Sequence, residues 1–220
     1  MKHIVVDLEM NSVEKKYKNL DCTMETIEIG AIMLDENYQE ISSFRTYVKP
    51  EYNNRIRPLI SRLTGITYDM VMNAPKFDEA MKMFSNWCLC VNDDIKIYAW
   101  SENDYKQILK EIGLKKYELS LDEERVYLTE WNDFQAEFDT KLGFEKQLSL
   151  KTALDMAGVD FLGREHSALD DARNTAKLFN IFNDREMFDC TLKKIADAMR
   201  PTDFKTSLGS MFDMSSFAVA

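Results

Sequence analysis

Residues 3–9 read His-Ile-Val-Val-Asp-Leu-Glu, an apolar, β-branched run broken by two carboxylates at alternate positions. Val and Ile suit a pleated surface and lose side-chain freedom in a helix, so the segment is predicted as a strand. Side chains alternate along a strand, which puts Asp7 and Glu9 on one face, roughly 6.7 Å apart. Adjacent carboxylates repel and resist burial unless a proton or a cation lies between them, so the pair points to a hard-metal site with oxygen ligands. A solvated acidic edge strand is the alternative. His3 shares that face by parity, but about 13 Å of strand separates it from Asp7, and it reads as a bystander.

The rest of the chain builds an α/β domain around this strand. Residues 28–34 and 44–48 read as two further strands, giving an antiparallel meander. Helical segments are predicted over 58–63 and 77–90, then a buried parallel strand over 95–100 with a helix over 103–112 behind it. Residues 125–131 read as another strand, 149–157 as a capped helix and 168–182 as the longest helix, with Ala168, Ala172, Thr175, Phe179 and Phe182 on its inner face. Beyond residue 184 the pattern weakens to one helix over 188–199 and an irregular tail over 205–220. The expected organisation is one domain over 1–183 with a C-terminal extension over 184–220.

Composition narrows the class. The 220 residues carry 28 basic and 38 acidic side chains, a net charge of −10, with only seven Gly and four Pro, which excludes collagen-like and low-complexity chains. Apolar runs such as 4–6 and 31–34 fall far short of the roughly 18 residues that a membrane span needs. Asp7 and Glu9 also interrupt the N-terminal stretch before a signal-peptide core forms, so a cytoplasmic protein without a membrane span is expected. Cys22, Cys88, Cys90 and Cys190 make no C-x2-C pair and read as reduced, structural thiols.

Two later segments carry chemistry. In Gly163-Arg164-Glu165-His166-Ser167-Ala168-Leu169-Asp170-Asp171, Ser167 or a neighbour caps the long helix. That leaves His166 just before its N-terminus and Asp171 one turn in, looking toward the same side. A base and a metal ligand can converge there. The alternatives are a loop histidine and an aspartate that favours the helix dipole, and Asp170 competes for the ligand role. The third feature is Trp100-Ser101-Glu102-Asn103-Asp104, where a strand ends and a helix begins, the usual place for sites in α/β sheets. Asp104 is equally placed to start the helix for structural reasons alone.

Taken in order, the D-x-E of Asp7 and Glu9, the mid-chain Asp104 and the H-x4-D of His166 and Asp171 resemble the DEDDh family of 3′–5′ exonucleases, whose fold is ribonuclease H-like. The resemblance covers approximately residues 1–183 and takes in Leu63-Thr64-Gly65-Ile66-Thr67, similar to the family's L-T-G-I-T segment, and Asn73-Ala74-Pro75. Residues 163–174 look most like the Eri-type exoribonucleases and the related bacterial KapD-like proteins. The chain departs from the pattern at Met10-Asn11, where relatives often carry Thr or Phe.

The resemblance implies a mixed sheet flanked by helices and a two-metal-ion mechanism with Mg²⁺ or Mn²⁺. Asp7, Glu9 and Asp171 would hold one divalent cation, and Asp7 with Asp104 would help hold a second. His166 would deprotonate the attacking water, releasing a nucleoside 5′-monophosphate, while Met10 and Ile66 would press on the terminal base. A charge of −10 argues against a long duplex footprint and for a short single-stranded 3′ end, with RNA favoured over DNA. The rivals are a proofreading-type exonuclease subunit acting on DNA and a catalytically silent nucleic-acid-binding scaffold of the same fold.

Overall fold

The computed structural model describes residues 1–17, 21–91 and 93–199; Lys18 of the first loop and the tail expected over 205–220 lie outside the described residues. Strands β1 (Lys2–Ser12), β2 (Met24–Leu34), β3 (Glu40–Tyr47), β4 (Ile95–Ala99) and β5 (Asn132–Asp133) form one mixed sheet in the order β3-β2-β1-β4-β5. The first three strands make the expected antiparallel meander, and β4 pairs parallel to β1, as its continuous apolar run implies. The helices are α1 (Pro58–Thr64), α2 (Tyr68–Val71), α3 (Phe77–Cys88), α4 (Glu102–Lys115), α5 (Leu121–Tyr127), α6 (Phe134–Leu142), α7 (Leu150–Met156), α8 (Ala168–Asn183), α9 (Arg185–Cys190) and α10 (Lys193–Met199). Among the described residues no helix is long and apolar enough to cross a membrane.

Strand parity divides the core into two layers. Ile4, Val6 and Leu8 of β1, with Ile29, Ala31 and Met33 of β2, pack against Phe77 and Phe84 of α3 and Ile108 of α4. On the other face Val5, Ile32 and Leu34 meet Phe134 and Phe138 of α6, Leu154 of α7, and Ala172 and Phe179 of α8. Each such side chain contributes roughly 1.5–3 kcal/mol by leaving water, so both faces resist a register slip that would exchange them. Asp7 and Glu9 continue the odd-numbered series and therefore emerge on the α8 face. The predicted inner face of α8 is buried at all five positions. All four cysteines are free, and Cys88 is buried while Cys90 is exposed, so the two do point apart.

Two expected elements are corrected. Residues 125–131 are not a strand: α5 takes the segment as far as Tyr127 and a turn follows, because Ser120 and Glu123 close a capping box in which the Glu123 carboxylate accepts the Ser120 N–H at 2.9 Å. The edge strand is left with Asn132–Asp133. The single helix expected over 188–199 is broken into α9 and α10 near Thr191, whose hydroxyl donates to the Met187 carbonyl four residues back at 2.7 Å and perturbs the ladder there.

One backbone contact positions α8. Gly30 pairs with Asp7 across the β1–β2 ladder, and a Cβ at Gly30 would lie 2.2 Å from both Ala168 C and Leu169 N. The missing side chain lets the first turn of α8 rest on the sheet directly beside Asp7. We expect Gly30→Ala to cost at least about 2 kcal/mol in urea unfolding, because rigid backbone must move. Gly113→Ala, in open space on α4, should gain about 0.5–1 kcal/mol from helix propensity. Equal and small effects at the two sites would remove the close approach as a determinant of the fold.

Candidate active site

The site forms where the sheet splits. Strand β4 follows β1 only as far as the Val6–Ala99 pair, so on that side Leu8 has no strand partner, and its N–H donates instead to Asp104 Oδ1 at 3.2 Å. Asp104 is the third residue of α4, whose N-cap Ser101 accepts the Asn103 N–H. The helix-start role and the site role thus coincide in one side chain. From the opposite side comes α8, resting on Gly30. Its N-cap position is Ser167, but the Ser167 hydroxyl makes no cap hydrogen bond. The Ala168 N–H donates to Glu28 Oε2 at 3.3 Å, so a carboxylate on β2 caps the helix from across the sheet. Glu28 is itself buried and paired with Arg45 on β3 at 2.5 Å.

Ahead of α8, His166 has φ 62, a left-handed conformation that a non-glycine residue adopts at a cost of order 1 kcal/mol. It is held there by its backbone N–H, which donates to Asp171 Oδ2 at 2.9 Å. One ligand atom from each of Glu9, His166 and Asp171 lies within 4.8 Å of the others. Asp170 does not join them: it accepts the Arg164 N–H at 2.9 Å and sits against Gly163, where a Cβ would lie 2.5 Å from its carboxyl carbon. Asp7, His166 and Asp171 open into a cavity of about 340 Å³, also lined by Trp100, Leu150, Lys151 and Phe161. His3 lies away from the site, among the rings of Tyr38, Tyr98 and Phe179.

The other wall is α1 and the turn after it. Asn11 is fully buried; its amide donates to the Arg55 carbonyl at 3.0 Å and its oxygen accepts the Arg57 N–H at 3.1 Å, which ties the start of α1 to the end of β1. The departure at Met10-Asn11 is therefore a scaffold joint. Met10 is half-buried beside the α3-side core. Ile66 is only 1% exposed and packs with Ile27 and Val71, supporting the 63–67 turn from beneath, whereas Leu63 is 42% exposed.

Electrostatics mark the cluster as short of positive charge. Burial, followed by repulsion from Asp171, Glu28 and Asp104, pushes Glu9 up to about 8, with Arg164 opposing. Burial also pushes Asp104 and Asp171 up to about 7. Asp7 lies well above the usual carboxylate range through burial and then repulsion from Asp104, Asp171 and Glu9. Four acidic groups whose ionised forms are disfavoured by burial and mutual repulsion, all offering oxygen, form a donor set suited to hard divalent cations.

The chain matches the exonuclease family RNase_T over residues 4–179. It belongs to that family. It is 30% identical over 195 residues to ERI1 exoribonuclease 2 of Danio rerio, covering 80% of this chain and 34% of the relative. It is 26% identical over 166 residues to 3′-5′ exoribonuclease 1 of Rattus norvegicus, covering 70% and 45%. The chain thus spans less than half the length of these relatives. The nuclease domain of 3′hExo, a DEDDh family member bound to rAMP, superposes with a TM-score of 0.71 at 22% identity, covering 87% of this chain and 94% of that one. The mixed sheet and its flanking helices are the ribonuclease H-like fold of these exonucleases.

Sequence reasoning missed Glu28, Asn11 and the side-chain role of Arg164. Each acts through partners distant in the chain, and the one local hint was a carboxylate at Glu28 heading the apolar run 29–34. A stability consequence follows from the raised carboxylates. The folded chain keeps protons that the unfolded chain releases above about pH 4, so without metal its stability should fall as pH rises from about 4 to about 8. In chelator we expect the melting temperature to drop by at least about 5 °C between pH 5 and pH 8, and Glu9→Gln to flatten that slope. A slope unchanged in Glu9→Gln would show that the cluster is not the source.

Proposed function

We propose that the protein is a metal-dependent 3′–5′ exonuclease that shortens single-stranded RNA or short oligonucleotides to nucleoside 5′-monophosphates. The observation that carries this reading is the convergence of Glu9, Asp171 and His166 beside Asp7 and Asp104, in a chain that belongs to an exonuclease family. Asp7, Glu9 and Asp171 would hold one Mg²⁺ or Mn²⁺, and Asp104 with Asp7 would help to hold a second. Bound there, the cations offset the negative charge that builds on a phosphodiester under attack.

His166 serves as the general base. Its backbone is fixed by Asp171 while its ring is exposed, so the imidazole can take a proton from a water that attacks the terminal phosphorus. The P–O3′ bond breaks, the preceding nucleotide regains its 3′-hydroxyl, and the released nucleotide carries a 5′-phosphate. Met10 and the 63–67 turn, backed by Ile66, form the apolar side against which the terminal base rests. Acidity at the site and a net charge of −10 disfavour a long duplex footprint, and the exoribonuclease relatives favour RNA.

Labelled RNA and DNA oligonucleotides incubated with each metal test the proposal. We expect stepwise shortening of the 5′-labelled strand, arrest by chelator, and faster turnover of RNA. Fragments from a circular substrate would sink the exonuclease assignment. Asp7→Asn and Asp171→Asn should lower turnover by at least about 10³-fold and shrink the rise in melting temperature that metal produces. His166→Ala should slow turnover by roughly 10²–10⁴-fold while keeping that rise, and loss of the rise would make His166 a ligand instead of a base.

A further inference from the structure

Arg164 is exposed, yet it is held at both ends. Its Nη2 donates to the backbone carbonyls of Arg62 at 3.3 Å and Leu63 at 3.2 Å, in the last turn of α1. Gly65, which ends that helix at φ 74, leaves the space in which the guanidinium lies: a Cβ there would be 1.8 Å from Nη1. At its own backbone Arg164 is fixed by Asp170, and two residues on His166 is fixed by Asp171. Its side-chain hydrogen bonds go to the two carbonyls, and its charge also acts on Glu9.

These contacts join the two walls of the site. A seven-residue helix does not persist alone in water, so the place of α1 depends on the packing of Ile60 against Ile27 and Val71 and on the hydrogen bonds at its ends. Asn11 supplies the tether at the start and Arg164 the tether at the end. A guanidinium suits the second task because its planar fork presents several donors in fixed directions, which an ammonium does not.

We propose that Arg164 is a strap: by bridging the two α1 carbonyls it sets the separation between the 63–67 turn and the His166 loop, and so fixes the wall that holds the 3′-terminal nucleotide. The inference rests on the exonuclease reading above. Arg164 acts through α1 and is a positioning residue.

The test pairs a readout on the free protein with one on nucleic acid. Hydrogen exchange of the amides over residues 61–67 is measured in wild type, Arg164→Ala and Arg164→Lys. Binding of a 5′-fluorescein-labelled single-stranded RNA of about ten nucleotides is measured by anisotropy in Ca²⁺. Both variants should keep a melting temperature within about 2 °C of wild type, since the side chain is exposed. In both, exchange over 61–67 should quicken by about tenfold and RNA affinity should fall by about tenfold, as loss of paired hydrogen bonds to one group implies. Unchanged exchange in Arg164→Ala would overturn the strap even if the enzyme shortens RNA normally. Recovery of affinity in Arg164→Lys would overturn it as well, by showing that charge alone suffices. Wild-type protein that neither binds nor shortens the RNA would bring down the exonuclease reading, and the nucleotide wall with it.

Discussion

Mutual repulsion among carboxylates in one crevice is the constraint on which the rest of this structure depends. Asp7, Glu9, Asp104 and Asp171 come from two strand positions and two helix starts, and burial together with repulsion raises the proton affinity of all four. Nothing within the cluster holds it together, so the surrounding scaffold must. Leu8 supplies an N–H to Asp104, the Gly30 backbone receives α8, and Glu28 with Arg45 anchors the first amide of that helix. Each of these contacts is short-ranged and directional, which is how a fold holds groups in a geometry that their own charges oppose.

The scaffold is stiffer on one side than on the other. Helix α4 is tied along its length: below Asp104, its Glu111 accepts from the Thr26 N–H and hydroxyl at 2.9 and 2.8 Å, and Lys115 reaches both Glu25 and Glu111. This buried network sits next to the irregularity in β1–β2 pairing after Glu9, where Thr26 is opposite Met10, and it gives the Thr26 amide a partner. By contrast α1, only seven residues long, rests on the body through Ile60 and is tied by hydrogen bonds at its two ends. A rigid acidic centre beside a separately tethered wall suits the proposed exonuclease, which would keep its site fixed while successive nucleotides enter and leave.

Local charge and global charge point in the same direction, yet they act at different ranges. The net charge of −10 is felt over a screening length of about 8 Å in physiological salt, and it weakens broad attachment to a polyanion. Within the crevice, low dielectric and four mutually repelling carboxylates, opposed at Glu9 by Arg164, make a divalent ion a natural counter-charge. The two effects together favour an enzyme that grips an end over one that coats a strand.

The sequence by itself determined what depends on neighbours up to about five residues apart. Strand parity put Asp7 and Glu9 on one face, helical spacing assigned the buried side of α8, and the separation of His166 from Asp171 placed both at one helix start. The capping signal at Ser120-x-x-Glu123 is equally local, and it takes residues 125–127, expected as the start of a strand, into α5. Tertiary structure alone decided what depends on contacts far along the chain. Glu28 caps α8 in place of Ser167, Asn11 tethers α1, Arg164 reaches back to Leu63, and Gly30 is small because α8 lies on it. No periodicity encodes such pairs, because a hydrogen bond or a close packing contact between residues 44 to 140 apart leaves each segment's own pattern unaltered. The candidate site groups were thus local information, and the means of holding them together was not.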